Sequence, residues 1–149
     1  MITELFITKN NLNDLNNLPE GLLELYCCNI NLYELPKLPE SLNYLDCRYN
    51  QLKSLPKLPG LLKELYCNNN QLKFLPELSK SLEKLSCYNN QLNSLPKLPE
   101  SLKHLFCDNN PLECLIPEKF INQQNINWLE RYYNLILIKN KIENIFDYV

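Results

Sequence analysis

Seven cysteines and one histidine are the residues of this chain best suited to chemistry, and their spacing decides what they can do. Clustered thiolates could hold zinc, and a Cys–His pair could make an activated nucleophile. Five of the thiols, Cys27, Cys47, Cys67, Cys87 and Cys107, recur every twenty residues. Residues one repeat apart in a stacked sheet form a straight column spaced about 4.8 Å. Tetrahedral zinc needs four ligands converging at about 2.3 Å, which such a column does not provide. Parallel, inward-pointing Cβ atoms suit disulfides poorly as well, and an odd number of cysteines does not close into pairs. A buried cysteine packs as a small hydrophobe, and that accounts for the column. Cys28 should face outward, and Cys114 lies past the last strand. His104 and Cys107 stand an odd step of three positions apart, so a strand directs them to opposite faces. The expectation is a chain with no catalytic residue, no metal and no cofactor.

The period points to the scaffold. Ser41–Gly60, SLNYLDCRYNQLKSLPKLPG, supplies Leu42, Leu45, Cys47, Asn50, Leu52, Leu55, Pro56, Leu58 and Pro59. A shift of twenty residues either way recovers nearly the same letters, the signature of a solenoid. Around Leu45-Asp46-Cys47 apolar and polar residues alternate, which predicts a short strand with one buried face. The Leu-Pro-x-Leu-Pro run that follows removes ladder donors and excludes a regular helix. This side of each coil should be extended and polyproline-like, with gentle curvature and a shallow concave sheet. Asn10, Asn50, Asn70, Asn90 and Asn110 fall at the turn after each strand. There an inward amide can satisfy buried backbone groups of its own and the adjacent repeat. Ile30 interrupts the column, as Ile7 stands in the cysteine column of the first copy.

The pattern L-x-x-L-x-C-x-x-N-x-L-x-x-L-P-x-L-P-x-S resembles the leucine-rich repeat in its shortest class. It is similar to the repeats of secreted bacterial effectors and to the Cys-bearing repeats of giant DNA viruses of amoebae. The resemblance covers residues 2–116 and implies a leucine-rich repeat solenoid with six short parallel strands on the concave side. It also implies that the Asn column is a structural ladder, and that the protein acts by binding diverse partners. Effector repeats of this kind are often followed by a ubiquitin-ligase domain with a catalytic cysteine. Here Pro117–Val149 contains no cysteine, so Cys114 is not carried over as a nucleophile.

Composition narrows the partners. The chain has 149 residues and a formal net charge of −2, which leaves no basic footprint for nucleic acid. It contains no Ala, two Gly and one Val, a bias that fits an A+T-rich genome. No signal sequence is apparent at the N-terminus, and the apolar run Leu135–Ile138 is far short of a membrane span. The expected location is the cytoplasm, or the host cytosol for a viral or effector protein. Two segments are expected: repeats over 1–116 and a helical C-terminal cap over 117–149. In the second, Trp128, Tyr132, Leu135, Ile138, Ile142, Ile145 and Val149 recur at helical steps and would close the open end of the solenoid.

With the inward columns assigned, strand alternation places the others on the concave face. The candidate partner-binding residues are Phe6, Tyr26, Tyr44, Asp46, Arg48, Tyr49, Glu64, Tyr66, Lys84, Tyr88, His104, Phe106 and Asp108. Tyrosine and arginine dominate protein interfaces, so the face reads as a non-catalytic protein-binding surface, possible partners including host proteins. An alternative is a structural or assembly subunit acting through self-association. The first strand offers an unpaired edge beside Ile2 and Leu5, through which a homodimer could form.

Overall fold

The computed structural model describes residues 2–112, and it builds them as one stacked coil. Six three-residue strands, β1 (Glu4–Phe6), β2 (Glu24–Tyr26), β3 (Tyr44–Asp46), β4 (Glu64–Tyr66), β5 (Lys84–Ser86) and β6 (His104–Phe106), pair in sequence order into a parallel sheet. The register equals the repeat: Leu5, Leu25, Leu45, Leu65, Leu85 and Leu105 lie side by side. From Leu25 onward these central leucines are fully buried, each worth about 1.5–3 kcal/mol relative to exposure. Cys27, Cys47, Cys67, Cys87 and Cys107 are also fully buried, while Cys28 is exposed. The thiol column is therefore core.

The Leu-Pro runs carry no regular helix or strand in the second to fifth repeats; the second, third and fifth set two prolines in five residues, and the fourth keeps Pro76 but has Ser79 in place of the other. Each closes with a turn in which Leu42, Leu62, Leu82 or Leu102 donates its N–H to the carbonyl of Pro39, Pro59, Ser79 or Pro99, as Leu22 does to Pro19 after the first repeat. Ser41 Oγ then donates to the Glu20 and Leu22 carbonyls of the preceding coil, and Ser101 does the same to Lys80 and Leu82.

The asparagine column is a ladder. Asn50 Nδ2 donates to the carbonyls of Cys27, Cys47 and Arg48, while its Oδ1 accepts from the N–H groups of Ile30 and Leu32. Asn70, Asn90 and Asn110 repeat the arrangement one coil further on each time.

The first repeat departs from expectation. Asn10 is exposed and takes no place in the ladder. Asn11 works instead: its Nδ2 donates to the Phe6 carbonyl at 3.0 Å and its Oδ1 accepts from Thr8 N–H at 2.7 Å. A 3-10 helix, Leu12–Asn17, follows and buries Leu15. Asn16 stands where later copies carry proline, so nothing prevents the backbone from turning helically here. Ile30, with no amide, cannot reach back to this repeat, and Asn11 satisfies the turn from within. The boundary at 116/117, the C-terminal helical cap and Cys114 lie outside the described residues.

Candidate functional site

The outer face of the sheet is organised by a diagonal of aromatic rings. Phe6 and Tyr26 stack nearly parallel, centroids 4.4 Å apart and planes at 5°. Tyr26 meets Tyr44 at 4.9 Å, and Tyr44 meets Tyr66 at 5.4 Å, both tilted. Four strands are thus bridged by one run of contacting rings. Such pairs add about 0.5–1.5 kcal/mol each beyond their area burial. At its far end Tyr66 lies under two cations, Arg48 at 5.3 Å and Lys84 at 5.0 Å from the ring centroid.

Carboxylates fix the phenols. Strand alternation puts residues two apart on one face, and the repeated Glu-Leu-Tyr of β2 and β4 uses this spacing. Tyr26 Oη donates to Glu24 at 2.6 Å, and Tyr66 Oη donates to Glu64 at 2.7 Å. The hydrogen bond to Glu24 and burial raise the Tyr26 phenol above its ordinary range. Burial, then the bond to Glu64, pushes Tyr66 up to about 12. Burial, reinforced by the nearby Asp46 charge, does the same for Tyr44, to about 12. All three are neutral donors at physiological pH.

Not every outer-column residue is accessible. Asp46 is 3% exposed, set between Tyr26 and Tyr66 in the sheet register and held by Arg48 at 2.9 and 2.7 Å. Its charge is spent within the molecule, and that hydrogen bond raises the Arg48 guanidinium further. Ser86, between Tyr66 and Phe106, and Asn68 are also buried, and Ser86 Oγ donates to Asn68 Oδ1 at 2.9 Å. Short side chains flanked by rings sit below the surface. Lys84, Tyr88, Glu64, Phe106 and Asp108 are half-buried, and His104 is exposed. Burial raises the Asp108 carboxyl, and burial together with neighbouring Tyr49 raises the Tyr88 phenol.

Tyr49 combines exposure with backbone strain. It is 53% exposed and has φ 55°, a left-handed conformation shared by Asn29, Asn69, Asn89 and Asn109 in the same column. Asparagine tolerates that region, whereas a tyrosine there is an outlier. The four asparagines were the available signal in the sequence. The carboxylate–phenol pairs and the Asp46–Arg48 pair were legible too, from residues two apart on one strand. Tyr33 and Phe74, 65% and 61% exposed, lie away from the strands and belong to no column assigned to the face. Among the described residues no three His, Cys, Asp or Glu side chains gather to hold a metal ion. Grooves on the Pro-rich side, such as that lined by Leu78, Lys80, Pro96 and Pro99, follow the repeat and gather no catalytic set.

A parallel solenoid with an asparagine ladder and a buried leucine column defines the chain as a leucine-rich repeat protein, and its repeats resemble those of bacterial effectors. A family model described as two copies of leucine-rich repeats matches residues 60–100. The YopM protein of Yersinia enterocolitica is 37% identical, with a TM-score of 0.66 over 79% of this chain and 25% of that one. A Shigella effector leucine-rich repeat domain is 37% identical, with a TM-score of 0.72 over 76% of this chain and 52% of the domain. YopM of Yersinia pestis is 32% identical, with a TM-score of 0.52, over 74% of this chain and 44% of that one. The chain thus spans about a quarter of the first and half of the second. No curated protein matches it. No helix among the described residues is long and apolar enough to cross a membrane.

Proposed function

We propose that the protein is a non-catalytic binding module whose outer sheet face captures another protein. The observation that carries this reading is the run of contacting rings from Phe6 through Tyr26 and Tyr44 to Tyr66. Aromatic pairs also stabilise sheets across strands, but packing alone does not require Phe6 to stand 59% exposed at the end of the run. A rigid scaffold presenting pre-ordered rings loses little side-chain entropy on binding, which favours affinity. The effector-like repeats support a host protein as the partner and the host cytosol as the place of action. The binding residues are those on or beside the ring diagonal, with Arg48, Lys84 and Tyr49 at its margin.

The test is capture from a host lysate by the whole chain, compared with a Phe6→Ala, Tyr26→Ala, Tyr66→Ala variant. These side chains lie on the outer face, so the variant keeps its circular-dichroism spectrum and loses the captured protein. Undiminished capture by a folded variant contradicts the reading.

Self-association through β1 is the second reading, and the exposure of both Ile2 and Phe6 at this end of the sheet supports it. Asn11 blunts the same edge by bonding the Phe6 carbonyl. Light scattering at micromolar concentration decides: a monomer mass excludes the dimer.

A further inference from the structure

The Glu-Leu-Tyr tripeptide occurs twice on the sheet, and its two settings differ in charge. In β4, Tyr66 binds Glu64 through its hydroxyl while Arg48 from the preceding coil and Lys84 from the following one lie over the ring. In β2, Tyr26 binds Glu24 in the same way, but the corresponding positions are Thr8 and Tyr44. Neither carries charge. Instead Phe6 covers one face of Tyr26, and its own opposite face is open, the ring being 59% exposed. Glu4 stands beside it, paired in register with Glu24 on the neighbouring strand. Among the described residues, neither Glu4 nor Glu24 forms an ion pair. The open face of the Phe6 ring and two carboxylates therefore share one end of the sheet, an arrangement that attracts a cation.

We infer that this end, formed by Glu4, Phe6, Glu24 and Tyr26, is the subsite that receives a basic side chain of the protein partner, with arginine preferred. Arginine fits for two reasons. Its planar guanidinium stacks on an aromatic face while donating to a carboxylate alongside. The same recognition is already made internally, where Arg48 bonds Asp46 and lies over Tyr66. The other end of the face carries Lys84 over the Tyr66 ring, with exposed His104 and half-buried Asp108, and has no such pair of carboxylates in register. A partner segment crossing the sheet would carry its basic residue at the β1–β2 end. This inference rests on the outer face being the binding surface, and it adds the chemistry of what binds there.

The probe is a fluorescently labelled alternating glycine–arginine peptide, titrated into the full chain at low ionic strength with anisotropy as readout. A glycine–glutamate peptide of equal length is the control. The arginine peptide binds and the glutamate peptide does not. A Phe6→Leu, Tyr26→Leu variant and a Glu4→Gln, Glu24→Gln variant each weaken binding by about tenfold, the scale of a partly desolvated cation–π or carboxylate contact. A Glu34→Gln, Glu77→Gln variant removes the same charge from the Pro-rich side and binds unchanged. Equal loss in that remote variant overturns the subsite, because attraction to net charge would then explain the binding. Loss with the aromatic variant but none with the Glu4/Glu24 variant overturns the carboxylate half of the subsite while leaving the outer face in use. No loss with either overturns both.

Discussion

Asn90 Nδ2 donates to the carbonyl of Cys67 in the preceding coil at 3.0 Å, and Asn90 Oδ1 accepts from the N–H of Leu72 there at 3.0 Å. One amide thus joins two repeats through backbone groups that would otherwise be buried without partners. Replacement by alanine orphans Leu72 N–H and several carbonyls, and should destabilise the protein by about 2–3 kcal/mol. Asn90→Asp keeps the acceptor but loses the donor and sets a charge against carbonyl oxygens, so it should not rescue. Urea denaturation of both variants checks this, and a neutral Asn90→Asp change contradicts the ladder.

The buried thiols make the fold sensitive to alkali. Burial raises Cys27 and Cys67 from about 9 to about 12, and Cys47 and Cys87 well above the ordinary thiol value. A folded thiol keeps its proton above pH 9 while the unfolded one loses it. The unfolded state then binds fewer protons, and stability falls as pH rises. Melting temperature should hold through neutral pH and decline across the window from about 9 to 12. In native protein Cys28 should react rapidly with a thiol reagent while the five core thiols wait for unfolding.

Tyr49 trades stability for exposure. Its φ of 55° is left-handed, a conformation that strains residues larger than glycine or asparagine. Tyr49→Asn restores the residue found at Asn29, Asn69, Asn89 and Asn109, and should raise stability by about 1 kcal/mol. Chemical denaturation measures it. On the binding reading, the same change weakens partner capture.

The first repeat distinguishes two neighbouring asparagines. Asn11→Ala removes bonds to Thr8, Phe6 and Asp14 and should cost about 1–2 kcal/mol. Asn10→Ala, at an exposed position outside the ladder, should change stability by less than about 0.5 kcal/mol. Equal effects would contradict the assignment of this turn to Asn11.

Columns were legible in the sequence wherever the period repeats the same physical demand. Leu45, Cys47 and Asn50 occupy their predicted places because every coil must bury a strand face and satisfy a turn. Reading failed where the repeat itself drifts. Asn16 in place of proline permits a 3-10 helix, and the role of Asn10 passed to Asn11, one residue away. On the outer face, alternation gave the direction of each side chain but not its height. Asp46, Asn68 and Ser86 share columns with large residues and are covered. That outcome depends on neighbours twenty residues away on both sides, which a single repeat does not contain.

The central claim is that a partner seats on the ring diagonal, and site-specific photocrosslinking tests it most directly. A benzophenone side chain replaces Tyr44, in the middle of the outer face, or Phe74, exposed at 61% away from the strands. Irradiated in host lysate, the Tyr44 position should give one dominant crosslinked protein that excess unlabelled wild-type chain competes away, and the Phe74 position should not. A competed crosslink from Phe74 with none from Tyr44 would contradict the account and move the binding surface off the sheet.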